Sequence, residues 1–199
     1  GDIAVGAMTV LSSVMQFAML PLQGLGQGAQ PIISYNYGAK NASRVKKAFR
    51  LLLISSLCYS VTLWALVMAV PQAFVMMFNT NEGLVSYTIP ALRIYLGVLL
   101  LFGVQVACQM TFTSMGNAAA SVIVAVVRKF DLLLPPIYIM PFIFTADKAT
   151  AVFMAEPVAD TVAVLFTAIL FFFQFRRFLR KMDAPADSAG ESEKRAASK

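Results

Sequence analysis

Apolar residues run along this chain in long blocks separated by short polar breaks. Five blocks stand out, at positions 3–37, 51–78, 89–112, 118–144 and 149–175. Each is about 20 residues or longer, enough for a helix to cross a hydrocarbon layer about 30 Å thick. A spanning segment must satisfy its own backbone hydrogen bonds, so blocks of this length predict helices. The expected fold is all-α, a polytopic membrane helix bundle of about five transmembrane helices.

The first block carries the most unusual stretch. Residues 21–40 read PLQGLGQGAQPIISYNYGAK, with Gly24, Gly26 and Gly28 set among Gln23, Gln27 and Gln30. In a soluble helix each Gly costs about 1 kcal/mol relative to Ala. In a membrane the bared backbone lets neighbouring helices approach closely. The stretch predicts a polar, glycine-broken helix lining a cavity or pathway, as a transporter requires. Gln16 and Asn36 extend the same polar set, and Gln105 and Gln109 form a second polar pair at i, i+4. These residues are candidates for lining an aqueous cavity, and interhelical hydrogen bonding is an almost equally good account of them. GLGQG is not a phosphate loop, because it lacks the GK[ST] ending and follows no strand. Prolines recur in every block. Pro71 and Pro90 read as span ends, whereas the Pro135-Pro136 pair reads as a mid-span kink.

Composition agrees with a membrane chain. Of the 199 residues 59% are hydrophobic and 13% charged, against about 25% charged in soluble domains. The formal net charge is +6, and the bases cluster at the ends of apolar blocks. That placement points to lipid headgroups and topology, and away from nucleic acid. The breaks at 40–50 and after position 175 hold most of the bases, while 79–87 holds none. The positive-inside pattern then places 40–50, 113–117 and the tail in the cytoplasm, with 79–87 and 145–148 outside. Residues 182–199 are rich in Ala, Ser and charge and predict a disordered cytoplasmic tail. There is no His, which excludes a histidine metal site and Ser-His or Cys-His catalysis. Cys58 and Cys108 fall inside spans without metal or redox spacing. No cofactor is expected, and the chain does not read as an enzyme. It opens on Gly1-Asp2 without a signal-peptide pattern and reads as the interior of a longer protein.

Three acids lie within predicted spans: Asp131, Glu156 and Asp160. Insertion scales assign about 2.5–3.5 kcal/mol to a charge at the centre of a span, so an intramembrane acid is a functional candidate. Glu156 and Asp160 are i, i+4 and share one face of the last span, with Pro157 between them. Two acids on one face of a bundle can share a proton or hold a monovalent cation, which is the chemistry of a coupling site. Asp131 follows Arg128 by three residues, the spacing of an internal ion pair. The many Met and Phe residues offer a soft surface suited to apolar cations, although most of them read as packed or lipid-facing.

The segment GLGQGAQPIISYNYGAKN, followed by a basic helix start VKKAFR, resembles the multidrug and toxic compound extrusion (MATE) family. GDIAVGAM is similar to the segment joining the first two helices of a MATE lobe. IYLGVLLLFGVQVACQMTFTSMGNAAASVIVAVVRKFDLLLPPIYIMP is similar to the fourth and fifth helices, and AEPVAD to the last helix of the MepA-like bacterial branch. The resemblance covers almost all of 1–181. It implies a partial C-terminal lobe, roughly helices eight to twelve of twelve, whose partner is a missing N-terminal lobe of the same polypeptide. It further implies export of drug-like small-molecule cations in exchange for H+ or Na+ across a bacterial plasma membrane. Asp131 departs from the apolar residue the family pattern has after Arg128-Lys129. Two other readings remain open: a flippase for lipid-linked saccharides of the same superfamily, and a non-transporting membrane scaffold. A flippase cavity calls for cations to hold pyrophosphate, and a scaffold needs no buried acids.

Overall fold

The computed structural model describes residues 2–116 and 148–183 of the chain. The described residues are helical almost throughout: α1 (Asp2–Gly38), α2 (Ala42–Ala69), short α3 (Pro71–Met76), α4 (Glu82–Tyr95), α5 (Leu99–Ser114) and α6 (Lys148–Asp183). A single 3-10 turn, Leu96–Val98, joins α4 to α5. Among the described residues four stretches are long and apolar enough to cross a membrane: Val5–Gly38, Ala42–Ala69, Glu82–Ser114 and Pro157–Arg180. The expected span at 118–144, with Asp131 and the Pro135-Pro136 pair, and the tail beyond Asp183 lie outside the described residues.

α1 corrects the first expectation. It is not broken at its glycines but runs through Gly24, Gly26, Gly28, Pro21 and Pro31 as one helix of 37 residues. Packing supplies what local propensity lacks. Leu22, Gly26 and Ile33 are buried, and a Cβ on Gly26 would meet Met110 Cγ at 2.5 Å, so α5 lies directly on the glycine. Pro21 and Pro31 carry no N–H, so the carbonyls of Phe17 and Gln27 lose their helical donors.

The turn after α1 is shorter than the predicted break at 40–50. Lys40 adopts a left-handed φ of 53°, and Asn41 caps α2 by accepting from Arg44 N at 3.1 Å. The bases Arg44, Lys46, Lys47 and Arg50 therefore ride on the opening turns of α2. Pro71 stands at the start of α3, just past the end of a span as expected. Pro90 does not mark a span end. It lies inside α4, which begins at Glu82 behind the cap Asn81. Asn81 Oδ1 accepts from Gly83 N and Leu84 N, and this cap moves the helix start ahead of the proline.

Two apolar cores hold the bundle. One gathers Leu11, Leu22, Leu92, Leu96, Leu99 and Phe102, the other Ile33, Val45, Phe112 and Phe171. α5 is the central element and packs on α1, α2 and α6. Several hydroxyls within the helices are satisfied locally: Thr111, Ser114, Thr161 and Thr167 each donate to the carbonyl four residues earlier. That pattern lets a polar side chain sit in an apolar helix without an outside partner.

Candidate functional site

α1 presents two different exposed faces. Thr9, Gln16, Gln23, Gln27 and Ser34 recur at spacings of four and seven, so they form one polar stripe along the helix. All five are exposed. Phe17, Leu20, Leu25, Ile32 and Tyr35 are exposed apolar residues on the same helix. Gln30 is half-buried at the edge of the polar stripe. Asn36 is buried and donates from Nδ2 to Ile32 O at 2.8 Å, so its amide serves the end of α1.

The interior polar site forms between α5 and α6. Phe171 of α6 meets Phe112 of α5 at a centroid distance of 5.1 Å. α6 also touches α4. Since α6 ends at Asp183, that contact comes from its earlier residues, and α6 runs parallel to α5. Asp160 and Phe171 share a face of α6 at i, i+11, and Gln105 and Phe112 share a face of α5 at i, i+7. Asp160 therefore faces α5 about 16 Å before Phe171, near the level of Leu101 and the 3-10 turn. Gln105 faces α6 about one turn further along. Both are buried, at 4% and 2% exposure. Among the described residues Gln105 Oε1 has no hydrogen-bond partner. A buried carboxyl and a buried free amide oxygen on facing helices make a polar point inside an apolar bundle.

The predicted site residues thus separate into three places. Asp160 and Gln105 come to the α5–α6 face, with Gln109 half-buried on α5. Gln23 and Gln27 stand on the exposed stripe of α1, with Gln30 at its edge. Asn36 belongs to the α1–α2 side. Glu156 is within α6, one turn before Asp160. These residues do not converge into one wall among the described helices. Sequence reasoning passed over Ser56 and Ser60 of α2, which are fully buried with no hydrogen-bond partner for either hydroxyl among the described residues. Their i, i+4 spacing in an apolar helix is the same signal that singled out Gln105 and Gln109. Among the described residues no group of three His, Cys, Asp or Glu side chains could hold a metal ion.

A sequence model of the MatE family matches residues 1–139, which is more than half of the chain. The chain belongs to the MatE family. This MatE chain is 22% identical over 179 residues to the multidrug export protein MepA of Staphylococcus haemolyticus (strain JCSC1435), with 90% of the chain and 38% of that relative covered. It is 23% identical over 171 residues to MepA of Staphylococcus aureus (strain NCTC 8325 / PS 47), covering 85% and 38%. Among solved structures it is similar to the MATE multidrug transporter DinF-BH in complex with R6G. That match has 29% identity and a TM-score of 0.76, over 88% of the chain and 38% of the transporter. A MATE protein in a bent conformation shares the fold, with a TM-score of 0.83 at 15% identity over 92% of the chain and 40% of that protein. The MatE chain spans about two fifths of the length of the relatives it matches.

Proposed function

We propose that the chain is part of a secondary-active multidrug antiporter of a bacterial plasma membrane, namely its C-terminal half without the first helix. In this reading residues 1–181 are roughly helices eight to twelve of twelve, and the rest of the chain is a cytoplasmic tail. An N-terminal lobe of the same polypeptide completes the cavity. Drug-like cations leave in exchange for H+ or Na+, and no covalent chemistry is catalysed. Gln23, Gln27, Gln30, Asn36, Gln105 and Gln109 offer polar contacts to substrate or to cavity water. Glu156 and Asp160, with Asp131, are the coupling acids.

The observation that carries this reading is the buried carboxyl of Asp160 on a membrane-spanning helix of a MatE-family chain. A charge there is costly unless neutralised. A proton or sodium ion neutralises it in one conformation of the two lobes, and a cationic drug in the other. Each ligand shifts the balance only by binding one conformation better, so the two cannot be held together and exchange becomes obligatory. Alternating access by rocking of one lobe against the other suits a fold of packed continuous helices.

The test is efflux of a fluorescent cation from vesicles under an imposed proton or sodium gradient, in the full-length protein at matched levels. Asp160→Asn should insert normally and lose gradient-driven efflux. Glu156→Gln should be milder. Wild-type pumping by both variants would place coupling elsewhere.

A further inference from the structure

A long groove runs between α1 and α2, on the apolar flank of α1 rather than on its polar stripe. Its volume is about 990 Å³. Its floor on α1 is made by Pro21, Gly24, Gly28 and Ile32, and its other wall by α2 from Leu51 to Tyr59. The two helices are antiparallel, so Pro21 and Tyr59 stand at one end and Asn36, Arg44 and Lys47 at the other. Tyr59 ties the first end to α1 by donating to Ala18 O at 3.1 Å.

Three features define what fits. The first is length. At about 1.5 Å per residue, the run from Pro21 to Asn36 is about 22 Å long, and so is the run from Arg44 to Tyr59. That is about half of a bilayer including headgroups, roughly 40–45 Å thick. The second is charge. Arg44 and Lys47 are exposed and both line the same end, beside the positive N-terminal end of α2. Among the described residues no Asp or Glu lines the groove. The third is the glycine floor. A Cβ on Gly24 or Gly28 would meet nothing within 4 Å, so no helix among the described residues requires glycine there. Their effect is to deepen a channel beside an apolar wall.

We propose that this groove is a binding site for one anionic phospholipid. Its phosphate-bearing headgroup lies against Arg44 and Lys47, and an acyl chain lies over Gly28 and Gly24 towards Tyr59. Two cations at interfacial depth favour an anionic over a zwitterionic headgroup, and the apolar run holds the chain by removing it from competition with neighbouring lipids. The site stands on the span geometry alone and is independent of what the protein transports.

The experiment titrates the full-length protein in detergent micelles with phosphatidylglycerol, with phosphatidylcholine of the same chains, and with glycerol 3-phosphate. Bound lipid is counted by native mass spectrometry. The wild type should prefer phosphatidylglycerol, and glycerol 3-phosphate should not displace it. Arg44→Gln with Lys47→Gln should weaken phosphatidylglycerol binding on the order of tenfold and leave phosphatidylcholine unchanged. Gly28→Leu should weaken both lipids. Because both bases are exposed, the double Gln variant remains informative even where Gly28→Leu fails to fold. Equal phosphatidylglycerol binding by the wild type and the double variant would overturn the proposal. So would displacement by glycerol 3-phosphate, which marks an anion site alone, or a wild type without lipid preference, which marks the groove as the seat of another protein segment.

Discussion

The carbonyl oxygen of Ser56 lies 2.7 Å from the place a Cβ on Gly103 would occupy, and Ser60 Oγ lies equally close. α5 thus rests with its backbone on the backbone of α2, at a point where neither helix can yield. Gly103→Ala should force the two helices apart. Overpacking of this kind costs about 1–3 kcal/mol. Gly24→Ala, where a Cβ meets nothing, should leave stability unchanged or raise it. Thermal unfolding in detergent compares the two, and equal midpoints would refute the close contact.

Phe171 is the hub of the joint between α6 and the rest of the bundle. It meets Phe49 at 4.7 Å, Phe175 at 4.8 Å and Phe112 at 5.1 Å between ring centroids. Phe171→Ala should destabilise by about 3–5 kcal/mol. Phe171→Leu keeps much of the apolar volume and should lose only the ring geometry, about 1 kcal/mol. Limited proteolysis near α6 should follow the same order. A Leu variant as fragile as the Ala variant would contradict the packing role.

The charge asymmetry predicts sidedness, and the helix caps dictate where to probe it. Asn41 and Asn81 both cap helices, so cysteines there would disturb what they report. Thr80 and Ser43 are exposed neighbours of the two caps. With Cys58 and Cys108 replaced, Thr80→Cys should react with an impermeant thiol reagent in intact cells. Ser43→Cys should react only after permeabilisation. The opposite result would invert the topology.

The two faces of α1 make a further prediction. Gln23→Cys and Gln27→Cys, on the polar stripe, should be reached by a water-soluble thiol reagent in the full-length protein. Phe17→Cys, on the apolar face, should resist it. Uniform reactivity around α1 would mean that the stripe does not border water.

Much of this arrangement was legible in the apolar blocks. Length and composition locate the four described spans, because a segment in lipid must close its own hydrogen bonds. The continuity of α1 through Pro21, Gly24 and Pro31 was not legible, since propensities measured in water overstate what glycine and proline do against a packed neighbour such as Met110. The start of α2 was legible only in part: by charge Arg44, Lys46 and Lys47 read as a break at 40–50, while the family resemblance read VKKAFR as a basic helix start, and in the structure all three bases occupy exposed helical positions. Asp160 was visible as a costly acid in an apolar run. Its relation to Gln105 was not, because facing depends on how α6 docks on α5, and that is decided by Phe171 and Phe112. The contact of Gly103 with Ser56 leaves no periodic trace at all.

α1 is also a lever. Its 37 residues reach about 56 Å, well beyond a hydrocarbon layer of about 30 Å. The surplus must either tilt the helix or carry its ends into the aqueous phases. Turning such a rod by about 10° about its midpoint displaces each end by about 5 Å in opposite senses, by the geometry of a helix of this length. The three-residue turn at Ala39, Lys40 and Asn41 then obliges α2 to follow. A small rotation at one membrane surface is in this way converted into an opposed movement at the other.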